Sequence, residues 1–94
     1  PFIVRWPARV APGVSSDLVS TLDIPATALA AAGVTPPADA LPDSYDLLPH
    51  LLGESSAPKR DFLVLQSGGG KLAARADRWK YIPDLDFADA WQAK

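Results

Sequence analysis

The chain contains no cysteine, no methionine and a single histidine among its 94 residues. Without cysteine there is no disulfide framework, no thiolate zinc site and no thiol nucleophile, and the redox compartment is left open. Positive charge is not in excess either. Nine Lys and Arg stand against eleven Asp and Glu, giving a formal net charge of −2 and a pI near 5.1. The cations are scattered singly or in pairs, so no basic stripe exists to neutralise phosphates, which argues against nucleic acid as a partner. A long apolar run is missing as well. The longest stretch free of charge, residues 24–38, is interrupted by Pro25, Gly33, Pro36 and Pro37, so no membrane span is expected. No secretory leader pattern opens the chain.

What remains is an ordinary globular composition, 48% hydrophobic, with ten prolines. That apolar content is too high for a disordered chain, and the proline count favours many short elements over a few long ones. A domain of this size buries only about 60% of the surface its unfolded chain exposes, so a core of its own would be marginal. The chain is expected to pack against something else. It opens at Pro1 directly in an apolar run, without an initiator Met, which reads as a piece of a longer protein.

Along the chain, Phe2-Ile-Val-Arg-Trp6 is rich in strand formers and bounded by prolines, the pattern of a short buried strand. Ala11-Pro-Gly-Val14 reads as a turn, and Leu18-Val-Ser-Thr-Leu22 as a second extended piece. Asp23 is expected to cap a helix through its carboxylate, with Pro25 in the tolerant first turn and Gly33 just past the end. Ala26 stands where a capping box centred on Asp23 would want Glu, so no such box is expected. After a proline-rich loop, Asp46 is expected to cap a two-turn helix carrying Leu47, Leu48, Leu51 and Leu52, with Pro49 at its third position and Gly53 ending it. From Arg60 the pattern changes to an antiparallel meander. Its strands are expected at residues 62–65, 72–75 and 78–82, joined by Ser67-Gly-Gly-Gly70 and a tight turn at Ala76-Asp77. Three strands need a covering layer to be stable.

Few residues offer chemistry. His50 has no nucleophile relay near it in sequence and reads as a surface or partly buried residue. Gly68-Gly-Gly-Lys71 lacks the glycine spacing and the Ser or Thr of a phosphate loop, and reads as a hairpin turn. Asp84, Asp86 and Asp89 lack the residues of a calcium loop and read as a solvated acidic tail. Asp43 and Asp46 are explained by loop and cap chemistry rather than by paired acid–base work. Asp23 is explained by capping, and Trp6, Trp79 and Tyr81 by core or interface packing rather than by a stacking platform. Read for chemistry alone, the sequence assigns no active site.

The ordered set of motifs says more. Pro1-Phe-Ile-Val-Arg-Trp-Pro7 followed by Val10-Ala-Pro-Gly13 resembles the sulfatase segment P-F-I-x-R-W-P-G-x-x-x-P-G, with Ala8 in place of Gly. Residues 18–33 are similar to the family's L-V-S-x-x-D-l-a-P-T-l-l-x-x-a-G, with the proline one place earlier. Asp43-Ser-Tyr-Asp-Leu-Leu-Pro49 resembles D-G-x-S-L-L-P, with Ser44 and Asp46 as departures. Ala74-Arg-Ala-Asp-Arg-Trp-Lys-Tyr-Ile82 is similar to the v-R-t-g-r-W-K-Y-I hairpin. Four motifs in the right order are more specific than any one alone. The chain is thus identified as a C-terminal fragment of the sulfatase family, within the alkaline-phosphatase-like superfamily.

The resemblance implies an α/β parent, of which this chain is an α+β fragment. Residues 1–42 would hold the last main-sheet strand, a flanking helix and a loop that end the main domain. Residues 43–94 would form part of a small C-terminal subdomain, a short helix plus antiparallel strands. It further implies an arylsulfatase-like sulfuric ester hydrolase. Such enzymes use a formylglycine, made from Cys or Ser in a C/S-x-P-S-R motif, and a divalent metal, usually calcium, held by Asp and Asn. None of those motifs occurs here. No catalytic, cofactor-binding or metal residue is therefore assigned, substrate-binding residues stay open, and the isolated chain is expected to be inactive. The missing N-terminal domain is the expected packing partner, and a periplasmic or secreted location would go with the family. Residues 83–94 depart from the family's usual continuation. Two alternatives stand beside this reading: a phosphonate monoester or phosphodiester hydrolase of the same superfamily, and a small non-catalytic binding domain.

Overall fold

A computed structural model describes residues 2–55 and 60–83. They fall in two compact units, residues 1–59 and residues 60–94.

In the first unit, residues 2–6 form no strand, because no second strand in the unit offers them a ladder. The chain turns over residues 7–9, where the N–H groups of Arg9 and Val10 both donate to the Trp6 carbonyl at 3.0 and 2.8 Å. The expected second extended piece stops early, since a single 3₁₀ turn occupies Thr21–Asp23. Helix α1 follows directly over Ile24–Ala31.

Asp23 does not cap α1 as expected. Continuing from the 3₁₀ turn, its backbone is already helical at φ −83° and ψ −12°, and its side chain makes no cap hydrogen bond to the helix. An N-cap residue needs an extended backbone to swing its side chain over the first turn. The carboxylate instead accepts from the Ser20 N–H at 2.8 Å, while the Ser20 hydroxyl accepts from the Leu22 N–H at 3.2 Å. This reciprocal pair is a capping box, set one turn earlier than the position where the sequence argued against one. The open N–H of Ala26 in the first turn of α1 is satisfied from further along the chain, by the Ser44 hydroxyl at 3.1 Å.

The far end of α1 is as expected. Gly33 sits at φ +71°, its N–H donates to the Ala30 carbonyl at 3.0 Å, and the Val34 N–H donates to the Leu29 carbonyl at 2.9 Å. These are the two bonds of a Schellman motif. A second helix, α2, covers only Leu48–Leu51, one turn rather than two. Its N-cap is Leu47 and not Asp46 as expected, so Pro49 falls at the second position rather than the third; the Asp46 carboxylate lies one residue before the cap and accepts from the Leu48 N–H at 2.8 Å. Gly53, at φ +74°, ends it with the same pair of bonds: its N–H donates to the His50 carbonyl at 3.1 Å, and the Glu54 N–H to the Pro49 carbonyl at 2.8 Å.

The return of the chain after residue 42 is fastened to α1. Tyr45 donates its N–H to the Asp23 carboxylate at 3.0 Å, and Leu47 donates its N–H to the Thr27 hydroxyl at 3.0 Å. The Thr27 hydroxyl in turn donates to the Asp23 carbonyl at 2.7 Å. These bonds explain why the compact units divide after residue 59, whereas the resemblance divides the parent's domains after residue 42. The core of this unit is thin. Among the described residues only Leu18 and Leu47 are buried hydrophobics, Asp23 is fully buried, and no residue of α1 is buried.

The second unit is the expected meander. Strands β1 (Leu63–Gln66), β2 (Leu72–Ala76) and β3 (Trp79–Tyr81) pair antiparallel in chain order. Val64 stands opposite Ala74, which stands opposite Tyr81; Gln66 faces Leu72 and Ala76 faces Trp79. Directly paired residues share a face, so Val64, Gln66, Leu72, Ala74, Ala76, Trp79 and Tyr81 line one side. Leu63, Arg75 and Lys80 line the other, together with Leu65 and Ala73. Asp77 at φ +49° makes the tight turn between β2 and β3, a left-handed conformation that Asp tolerates better than most residues. Trp79 and Tyr81, on the Val64 side, are 70% and 69% exposed.

Candidate functional site

Among the described residues, a grouping of chemically capable side chains lies in the first unit, where α2 brings His50 to the loop at residues 15–17. His50 Nε2 is 2.9 Å from Asp17 Oδ2 and 3.4 Å from Ser15 Oγ, and the Ser15 hydroxyl donates to the same Asp17 oxygen at 2.8 Å. Serine, histidine and aspartate invite comparison with a nucleophilic triad, and the wiring decides against it. A triad needs the serine on one ring nitrogen and the carboxylate on the other, so that the base takes the serine proton while the acid holds the ring. Here both partners meet the same nitrogen, and the serine gives its proton to the carboxylate. The Asp17 N–H also donates to the Ser15 hydroxyl at 3.1 Å, which makes the loop a small self-closed turn. With its ring proton on Nε2, His50 donates to this turn and fastens α2 to the loop. The group is a surface clasp.

The remaining candidates are accounted for structurally. The Gly68-Gly-Gly-Lys71 stretch is the β1–β2 hairpin turn. The Ser67 N–H donates to the Lys71 carbonyl at 2.9 Å, the Gly70 N–H to the Ser67 carbonyl at 2.9 Å, and the Lys71 N–H to the Ser67 hydroxyl at 3.1 Å. A phosphate cradle needs such N–H groups turned outward, and here they are spent within the turn. Asp46, just before α2, accepts from the Leu48 N–H, Asp43 lies exposed in the loop before it, and Asp23 is a buried linchpin. Asp84, Asp86 and Asp89 lie outside the described residues. Trp6 is half-buried beneath the Arg9 guanidinium, 5.4 Å from its ring centroid, and Arg78 stands 5.4 Å over the Trp79 ring. No group of three His, Cys, Asp or Glu able to hold a metal ion occurs among the described residues.

A shallow groove of about 500 Å³ runs beside α1 and the proline-rich loop, lined by Ala26, Ala30, Val34, Pro37, Ser44 and Asp46 among others. Three of its side chains have hydrogen-bonding capacity, Thr35, Ser44 and Asp46, and the last two are already engaged on Ala26 and Leu48. The groove therefore offers no convergent polar groups to orient a ligand.

Sequence reasoning did not foresee the partners of His50, because 35 residues separate it from Ser15. The capping box was within reach, since Ser20-Thr-Leu-Asp23 has the Ser-x-x-acidic spacing that marks one. Ser44 and Thr27 give no local sign of their roles, as each serves a main-chain group 18 or more residues away.

Comparison with known proteins supplies what the side chains do not. No family profile matches the chain. It is 42% identical over 86 residues to an N-acetylgalactosamine-6-O-sulfatase of Bacteroides thetaiotaomicron, an alignment covering 92% of this chain and 17% of that protein. To human arylsulfatase A it is 36% identical over 84 residues, covering 85% of this chain and 16% of the relative. Its backbone matches a solved structure described under glycosaminoglycan metabolism by Bacteroides thetaiotaomicron, with a TM-score of 0.72 and 43% identity over 87% of this chain and 17% of that one. The chain spans about a sixth of the length of the relatives it matches. Sequence and backbone agree on the same relatives, and on that ground the chain belongs to the sulfatase family, as a C-terminal part of it.

Proposed function

We propose that the chain is a non-catalytic C-terminal portion of an enzyme that hydrolyses sulfate esters, with the chemistry carried by residues outside it. The observation that carries this reading is the 42% identity to an N-acetylgalactosamine-6-O-sulfatase along 92% of the chain. Mammalian N-acetylgalactosamine-6-sulfatases reach 45–47% over 53 residues, and bovine arylsulfatase A reaches 42% over 84. A sulfated amino sugar and an aryl sulfate are both candidate substrates of the parent. The formylglycine nucleophile and the divalent metal, calcium in this reading, would both be held by the parent. The chain itself has no Cys to supply the formylglycine.

The chain's own contribution in this reading is packing. Phe2, Ile3 and Val4 are exposed, Ile3 to 83%, in a segment without a ladder partner. Such a segment suits an added strand at the edge of the parent's main sheet, where its main-chain groups and its apolar side chains would both be satisfied.

The test has two arms. The isolated 94-residue chain, given calcium and an aryl sulfate or a 6-O-sulfated N-acetylgalactosaminide, is expected to show no turnover; sulfate release by the isolated chain would overturn the assignment of the chemistry elsewhere. The parent is expected to release sulfate and to lose that activity when its upstream Cys or Ser in C/S-x-P-S-R is replaced by Ala. Hydrolysis of a phosphonate monoester in preference to either sulfate would move the parent to the neighbouring branch of the superfamily.

A further inference from the structure

We draw no further inference here: the strongest candidate, the exposed apolar face of the three-stranded sheet formed by Val64, Leu72, Trp79 and Tyr81, carries nothing because nothing in the structure shows what covers it.

Discussion

Asp23 is the residue on which most of the first unit's order depends. Its fully buried carboxylate holds the Ser20 and Tyr45 N–H groups, at 2.8 and 3.0 Å, and so ties the entry of α1 to the loop that returns after it. Replacing it with Ala leaves two main-chain donors without their acceptor, at a cost of about 2–4 kcal/mol. In the intact parent this is expected as a lowered urea midpoint and as faster amide hydrogen exchange at Ser20 and Tyr45. Asp23→Asn is expected to recover only part of the loss, because its amide group turns a donor toward one of the two N–H groups. Ser20→Ala, which removes a more exposed bond, should cost about 1 kcal/mol. The clasp around His50 belongs to a different class. Both of its main partners are partly open to solvent, so Asp17→Asn should change stability by no more than about 1 kcal/mol. Ser15→Ala and His50→Gln should leave the parent's kcat and KM for sulfate release unchanged. A large fall in kcat for Ser15→Ala would show that the clasp takes part in the chemistry after all.

At the level of the elements, the C-terminal ends of both helices and the hairpin turns are closed by local devices. Gly33 and Gly53 take left-handed φ values of +71° and +74° to complete Schellman motifs, and no atom lies within 4 Å of the Cβ that Ala would add. Gly33→Ala and Gly53→Ala should therefore cost only the conformational penalty, about 1 kcal/mol each, read from thermal midpoints of the parent. The β2–β3 turn makes a sharper comparison. Asp77 at φ +49° is expected to accept Asn with little change, whereas Asp77→Val places a β-branched side chain in the left-handed region and should destabilise the hairpin. Loss of cross-strand contacts between Ala76 and Trp79 in NMR spectra would report it.

At the scale of the whole chain, the dominant feature is the exposed apolar surface of the described residues. Leu18 and Leu47 are the buried hydrophobics among the described residues, while Phe2, Ile3, Val14, Leu22, Phe62 and Val64 are among those exposed. Exposed apolar surface on this scale marks a surface made for contact, and a three-stranded sheet with one open apolar face does not hold itself together in water. Expressed alone, the chain is expected to bind 8-anilinonaphthalene-1-sulfonate and to melt over a broad range without a cooperative transition. The same residues within the parent should neither bind the dye nor melt separately. A sharp transition for the isolated chain with no dye binding would favour a self-sufficient binding domain instead.

Local information settled much of this fold before any coordinate. The stops at Gly33 and Gly53, the place of Pro25 and Pro49 in first turns, and the three strands with their turns all depend on residues within a few positions of one another. Side-chain volume, φ preference and hydrogen-bond reach decide such features within one helical turn or one hairpin. The order of the four motifs was equally legible, and it led to the sulfatases. Other features were not local. The Asp23 carboxylate could serve its own helix or another strand of chain, and only the return of the chain 22 residues later brings the Tyr45 N–H to it. Ser44 caps a helix that ended before it, and His50 finds Asp17 across the fold. A buried carboxylate takes whichever donors come within about 3 Å of it, and which ones do so is decided by the path of the chain.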